Sequence, residues 1–190
     1  PTDGDLKNIR TLITYIKNMM LGEDEIEALN EEAECKISVI YREYCSKLKE
    51  LQMIDYDDQM VYAYVMLKKI PWLLEYFQEL YPYICVDEAQ DTSKIQHAIL
   101  DLLAGKEKNI FLVGDEDQSI YGFRAAYPQA LTQFSKRYQG AKVLYLEKNY
   151  RSTPQIVETA QNFIQKNRDR YPKHMEAVRP AGLEVESISL

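Results

Sequence analysis

The chain has 190 residues, 46% of them hydrophobic and 28% charged, with only 7 Gly and 7 Pro. At about 150 residues per domain this is one domain or slightly more, long enough to bury a core, and the composition excludes disorder, collagen and low complexity. No unbroken apolar run, residues 61–67 included, approaches the roughly 20 residues that span a bilayer, so no membrane segment or membrane partner is expected. The net charge of −7 lies wholly in residues 1–80, which carry 9 basic and 16 acidic groups, whereas the remainder carries 14 of each. Unspecific nucleic-acid binding draws on a basic surface, and composition argues against it as a bulk property. Cys35, Cys45 and Cys85 are too few and too widely spaced for a disulfide framework or a zinc site; they read as three buried thiols of a reducing, cytoplasmic compartment. The chain begins with Pro rather than Met and has no leader pattern, and it is read as a piece of a longer protein.

Residues 1–80 read as helices. Ile37, Ile40, Tyr41, Tyr44, Cys45, Leu48 and Leu51 recur at three- and four-residue spacing and predict a helix of several turns. The acidic stretch from Glu23 to Glu34 precedes it, where negative charge suits the helix dipole. A further helix is expected over 57–69, broken at Pro71 and followed by a short one over 72–80. Tyr62, Tyr64 and Trp72 read as core or rim aromatics. After Pro82 short apolar runs alternate with helical patterns: a strand at 83–86, a helix at 93–104 capped by Thr92 or Ser93 with Gly105 at its exit, a strand at 109–113, a helix at 128–138 and a strand at 142–146. Ser152, with Gln155 three residues on and Pro154 in the first turn, announces a helix to about residue 166. A last strand is expected at 183–190. Alternating strands and helices predict a parallel sheet in an α/β layer.

In such a sheet, function collects at the carboxyl ends of the strands. The first strand runs into Asp87 and Glu88. Adjacent carboxylates after an apolar strand are costly unless solvated, paired or bound to a cation. One can hold Mg²⁺ while its neighbour polarises a water, an arrangement suited to phosphoanhydride hydrolysis. An acidic, solvated turn capping the next helix accounts for this pair equally well. The second strand runs into residues 114–124, where Asp115, Glu116, Asp117, Gln118, Tyr121, Phe123 and Arg124 mix metal-type and stacking-type groups. Aromatics stack bases without regard to sequence, and arginine adds a phosphate or cation–π contact; the alternative is a surface loop with its rings tucked against the sheet edge. The third strand leads to Tyr150 and Arg151, just before a helix start.

Together DEAQD (87–91), VGDEDQSIYGFRAA (113–126) and LEKNYRS (146–152) resemble motifs II, III and IV of the UvrD/Rep/PcrA family of superfamily 1 DNA helicases, in order and spacing. IDYDDQMVYAYVML (54–67) is similar to that family's segment leading from the helical 1B subdomain back to the motor core, so the resemblance runs from about residue 54 to 166. It implies an α/β fold: a P-loop-NTPase, RecA-like parallel-sheet part of motor domain 1A at 81–147, preceded by a helical 1B-like region at 1–80 and followed by the start of domain 2A at 148–190. The implied activity is ATP-driven 3′ to 5′ movement on single-stranded DNA, with ATP and Mg²⁺ as cofactors. Its implied partners are single-stranded DNA, duplex junctions, and nuclease or repair proteins. Asp87 would hold Mg²⁺, Glu88 would activate the attacking water, and Gln118 would sense the γ-phosphate. Tyr121 and Phe123 would stack on bases beside Arg124, Tyr150 would lie against adenine, and Arg151 would contact the γ-phosphate. The family more often has Trp at the Phe123 position and Gly at Ala125, and a smaller ring weakens stacking without abolishing it.

The phosphate-cradling loop Gly-x-x-x-x-Gly-Lys-Ser/Thr does not occur in the sequence. Gly105-Lys106 has Leu100 at the first glycine position and Glu107 where Ser/Thr should follow, and reads as a helix exit. The chain alone is therefore expected to be inactive, with the loop elsewhere in the parent protein. Two other readings stand beside this one. The first is a helicase-like, non-catalytic DNA- or protein-binding module. The second is an unrelated Mg²⁺-dependent phosphotransferase using Asp87 and Asp115, which leaves the Tyr150-Arg151 segment and the aromatic loop unexplained. Residues 1–53 carry no legible chemistry, and their acidity favours partner contacts or packing over DNA.

Overall fold

The computed structural model describes residues 2–119, 122, 125–167 and 170–186. It divides into two compact units, residues 1–131 and 132–190. The first unit opens with five helices: α1 (Asp3–Asn18), α2 (Glu23–Glu32), α3 (Ile37–Glu50), α4 (Tyr56–Lys69) and α5 (Pro71–Leu80). The acidic stretch from Glu23 is thus a helix in its own right rather than a lead-in to α3. Its Glu25 carboxylate accepts the Gly22 N–H at 2.8 Å, giving α2 a start that the sequence pattern did not reveal. Ile16, Ile26 and Ile37 form the buried centre of α1–α3, with Leu12, Leu21, Leu29, Ile40 and Tyr41 packed around them. Tyr62 and Trp72 are exposed, as rim rather than core residues.

A polar knot ties α1 to the start of α4. Lys17, only 4% exposed, places its Nζ 2.7 Å from both Asp55 Oδ2 and Asp58 Oδ1. Asp55 caps α4 by accepting the Asp58 N–H at 2.7 Å, and its Oδ2 also accepts from Tyr44 Oη at 2.8 Å. Asn18 and Thr14 donate to the two oxygens of Asp57 at 2.7 and 2.8 Å. Each charge sits at the helix end that favours it, lysine in the last turn of α1 and the aspartates at the start of α4. Burial disfavours the charged forms of Lys17 and Asp55. The hydrogen bonds between them outweigh it, raising the lysine's pKa and lowering the aspartate's. Burial, then the bond to Asp55, pushes the Tyr44 phenol up to about 12.

The remainder of the first unit is the α/β part. β1 (Ile84–Val86) pairs in parallel with β2 (Ile110–Leu112), Ile84 opposite Ile110 and Val86 opposite Leu112, and α6 (Lys94–Ala104) connects them while packing on α4 and α5. Ser93 caps α6, its N–H donating to Gln96 Oε1 at 2.8 Å. Gly105 ends it at φ 56°, and a Cβ there would lie 2.9 Å from Gln78 Nε2, so both the left-handed turn and the close approach call for glycine.

In the second unit the expected helix 128–138 is broken. α7 (Gln129–Thr132), which begins in the first unit, and α8 (Phe134–Arg137) are separated by Gln133, whose φ −104° and ψ 7° leave the helical region. The strand expected at 142–146 does not form: this run has no ladder partner among the described residues, and Leu144 and Leu146 are exposed. Pairing falls a few residues later, between β3 (Lys148–Asn149) and β4 (Glu176–Ala177), again in parallel. α9 (Pro154–Ile164) has Thr153 rather than Ser152 at its N-cap position, with no side-chain cap bond, and the Ser152 N–H donates to Asn149 Oδ1 at 2.8 Å. Gln161 fixes β4 to α9 by donating to the Met175 carbonyl and accepting its N–H, at 2.8 and 3.0 Å. Residues 183–186 are not a strand, and the rest of that expectation, 187–190, lies outside the described residues. Of the cysteines expected to be buried, Cys35 and Cys45 are half-buried and Cys85 is exposed on β1, where its side chain alternates with the inward-facing positions.

Replacing Lys17 by Met should cost on the order of 3 kcal/mol near pH 7, since two aspartates would be left without their partner. Asp55, with its folded pKa lowered, stabilises the fold above the unfolded carboxylate value of about 3.9 and loses that contribution as pH falls through the lower folded value. The difference between wild type and variant should therefore shrink toward pH 3. Urea unfolding followed by circular dichroism across that range measures it, and a pH-independent difference would contradict the charge argument.

Candidate functional site

The site is built where β1 and β2 end side by side. Beyond the last ladder pair the two exits remain linked: the Val113 N–H donates to the Val86 carbonyl at 2.8 Å and the Ala89 N–H to the Val113 carbonyl at 2.9 Å. Asp87 and Glu88 are exposed at this edge. Asp87 Oδ1 accepts the Glu88 N–H at 2.9 Å. Glu88 itself has φ 50° and ψ 42°, a left-handed conformation uncommon for a side chain of its size. It turns the chain from β1 into a short 3-10 turn, Ala89–Asp91. Strain of this kind persists only where the surroundings over-determine it, and it gathers at functional sites.

The surroundings are specific. Gln90, 2% exposed, donates from Nε2 to Glu88 Oε2 at 2.6 Å and accepts the Asp115 N–H on Oε1 at 3.1 Å. Its carbonyl accepts from Ser119 Oγ at 3.2 Å. On the neighbouring exit a second 3-10 turn, Glu116–Gln118, is capped by Asp115. Asp115 Oδ1 accepts the Asp117 N–H at 3.2 Å, and its Oδ2 accepts from Gln118 Nε2 at 2.7 Å. Behind the first turn, Thr92 Oγ1 donates to the Ala89 carbonyl at 2.6 Å and meets Nε2 of the buried His97 at 2.5 Å. Asp91 Oδ1 is buried with no partner among the described residues.

Asp87, Glu88 and Gln118 are thus gathered at adjoining strand exits of the first unit. Tyr121, Phe123 and Arg124 lie outside the described residues. Ala125, where the resembled family more often has glycine, is buried with φ 60°, a backbone conformation that glycine adopts at less cost. In the second unit, Asn149 Oδ1 accepts the N–H groups of Arg151 and Ser152 at 2.9 and 2.8 Å, and Arg179 Nη1 donates to the Arg151 carbonyl at 2.9 Å. This fixes the Arg151 backbone, while the Tyr150 and Arg151 side chains are exposed. Gln90 is the residue that reading motif chemistry did not single out. Its signal, an amide between two acids after a strand, looks in sequence like any polar turn residue.

Asp115, Glu116 and Asp117 bring carboxylate oxygens within 4.8 Å of one another, Glu116 buried and both aspartates half-buried, but both Asp115 oxygens already accept bonds within its own turn. Asp87 offers a hard carboxylate oxygen at an exposed strand end. That is the donor type Mg²⁺ takes in ones and twos alongside phosphate oxygens, so the residues present fit a nucleotide-bound Mg²⁺.

The profile of the UvrD/REP helicase N-terminal domain matches residues 3–139. The chain belongs to the UvrD/REP helicase family. It is 40% identical to YjcD of Bacillus subtilis over 167 residues, 88% of the chain and 22% of that protein. It is 37% identical to the ATP-dependent DNA helicase PcrA of Staphylococcus epidermidis over 175 residues, 92% of the chain and 24% of that protein. It is 39% identical to PcrA of Staphylococcus aureus over 149 residues, 78% of the chain. The chain thus spans less than a quarter of the length of these family members.

Gly114 lets the two exits of this family member approach. A Cβ there would lie 2.8 Å from Gln90 Oε1 and 3.2 Å from the Ala89 nitrogen. Gly114→Ala should cost about 1–3 kcal/mol by overpacking, whereas Gly4→Ala, in α1 with its nearest neighbour at 3.5 Å, should be neutral or stabilise by up to about 1 kcal/mol. Urea unfolding of the two variants checks this; equal effects would contradict it.

Proposed function

We propose that the chain is part of an ATP-dependent motor that moves 3′ to 5′ along single-stranded DNA and opens duplex junctions. On this reading residues 81–147 belong to a RecA-like, P-loop-type motor domain 1A, residues 1–80 to a 1B-like helical subdomain and its return to the core, and residues 148–190 to the start of domain 2A. The observation that carries the proposal is the exposed Asp87-Glu88 pair at a parallel strand end, joined through Gln90 to the loop bearing Gln118, in a chain 37% identical to a protein named as an ATP-dependent DNA helicase. The proposed setting is the cytoplasm, with nuclease or repair proteins as further partners.

Bound Mg²⁺–ATP supplies the phosphoanhydride and the charge neutralisation that phosphoryl transfer requires. Asp87 binds the cation through its carboxylate. Glu88 orients the attacking water and takes its proton, with one carboxylate oxygen held by Gln90. Gln118, held at Asp115, is placed to exchange that bond for one to the terminal phosphate. Tyr150 offers an exposed ring to the adenine, and Arg151 an exposed guanidinium to the γ-phosphate. Tyr121, Phe123 and Arg124 are assigned to the DNA strand. Because they follow Gln118 by a few residues, nucleotide-driven movement of this loop displaces the stacking groups. The phosphate-cradling loop is assigned to the rest of the parent protein, and the 190-residue chain alone should not turn over ATP.

The test is steady-state ATP hydrolysis by the full-length parent, with and without single-stranded DNA. Glu88→Gln should lower turnover by about 10²-fold or more, and Arg151→Ala by about 10³-fold or more. Phe123→Ala should leave DNA-free hydrolysis largely intact while slowing translocation. Absence of DNA-stimulated turnover in the folded wild type would favour a non-catalytic binding module, and equal loss of hydrolysis and translocation in Phe123→Ala would refute the coupling through this loop.

A further inference from the structure

We propose that Gln90 is the positioning residue that couples the Glu88 carboxylate to the loop carrying Gln118, a role that rests on the hydrolytic reading above. Gln90 is 2% exposed, and both ends of its amide are engaged, one within its own strand exit and the other across the gap to the neighbouring exit. Nε2 donates to Glu88 Oε2 and Oε1 accepts the Asp115 N–H. Asp115 in turn accepts from Gln118 Nε2. Four residues from two different strand exits therefore form one continuous hydrogen-bonded chain, Glu88 to Gln90 to Asp115 to Gln118.

The chemistry of each link requires an amide in the second place. Glu88 presents an acceptor and the Asp115 main chain presents a donor, so the bridging side chain needs a donor at one end and an acceptor at the other, which glutamine supplies without charge. Glutamate has the same length and keeps the acceptor for Asp115, but places a negative charge 2.6 Å from Glu88 where the donor stood. Methionine fills the volume and makes neither bond. The space is tailored to the amide as well, since any Cβ at position 114 would fall 2.8 Å from Gln90 Oε1. A general base works best when one oxygen is held and the other is open to the water it must deprotonate, and Gln90 holds Oε2. A bond exchanged at Gln118 alters the Asp115 turn, and the Asp115 amide passes the change to Gln90 and so to the base.

The experiment is ATP hydrolysis by the full-length parent in wild-type, Glu88→Gln, Gln90→Glu, Gln90→Met, Gln118→Ala and Gln90→Met/Gln118→Ala forms. kcat and KM for ATP are measured with and without single-stranded DNA, and thermal unfolding is followed in parallel. Gln90→Met should lower DNA-stimulated kcat by about tenfold or more, within the range of a positioned proton acceptor, and leave KM within about threefold. Gln90→Glu, the closer match in shape, should lose more than Gln90→Met, the reverse of the order expected if position 90 only fills space. The double variant should be no worse than the poorer single variant, because both lie on one chain of bonds. If Gln90→Met does not fold, Gln90→Glu carries the test. kcat within twofold of wild type in folded Gln90→Glu, or losses in the double variant that simply multiply, would overturn the proposed coupling. An inert wild type, or a Glu88→Gln variant as active as wild type, would overturn the hydrolytic reading itself and leave the coupling without a reaction to serve.

Discussion

Two chain segments leaving adjacent parallel strands expose main-chain amides and carbonyls that must find partners before the side chains beyond them can hold fixed positions. Here the demand is met by two main-chain bonds and one buried glutamine. The Val113 and Ala89 amides extend the β1–β2 pairing past the ladder, and Gln90 spans the remaining gap to Asp115. The left-handed backbone of Glu88, the close approach at Gly114 and the capped turn at Asp115 all sit at this join. Without it the Glu88 carboxylate would have no fixed relation to Gln118.

The helices of the first unit solve a different problem. Their acidic surface leaves few cations to place, yet one lysine is buried outright between Asp55 and Asp58. A buried ion pair is weak evidence of net stabilisation, but this one is specific. It accepts only the end of α1 against the start of α4, with Asn18 and Thr14 closing on Asp57 beside it. α4 in turn packs on α6, the helix that links β1 to β2. The acidic segment that in sequence resembles a return from one subdomain to another therefore works, in the fold, as the anchor of the helical layer.

Much of this was legible beforehand, for physical reasons that differ by element. Helices α3 and α6 are amphipathic, the stripe from Ile37 to Leu48 marking one and Gly105 the stop of the other; Leu51, counted in that stripe, lies just past α3 and is exposed. β1 and β2 are short apolar runs bounded by polar turns, and their parallel pairing follows from the helix between them. The run at 142–146 has the same pattern but finds no ladder partner among the described residues, and periodicity alone carries no information about partners. α9 starts one residue later than the Ser152 pattern implied, with Thr153 at the N-cap position and no side-chain cap bond, a shift of one residue that the sequence pattern does not resolve. Asp87 and Glu88 stood out as adjacent acids just after an apolar strand, and Gln118 through the family resemblance; all three are exposed at the two strand exits, and their chemistry is the proposal made above. Gln90 did not stand out, since its importance lies in a contact with Asp115, 25 residues away in the chain.

The proposed motor places its metal-binding and base functions on neighbouring residues of one strand exit and its phosphate sensing on the next, so that the join between exits is also the path between the two functions. The most direct test of this arrangement is a crystal structure of the full-length parent with Mn²⁺ and a non-hydrolysable ATP analogue, the metal located by its anomalous scattering. The account predicts the Mn²⁺ peak on the Asp87 carboxylate, with the terminal phosphate in hydrogen-bond reach of Gln118 and Gln90 still on Glu88. A peak on Asp115, Glu116 and Asp117, with Asp87 facing solvent, would contradict it.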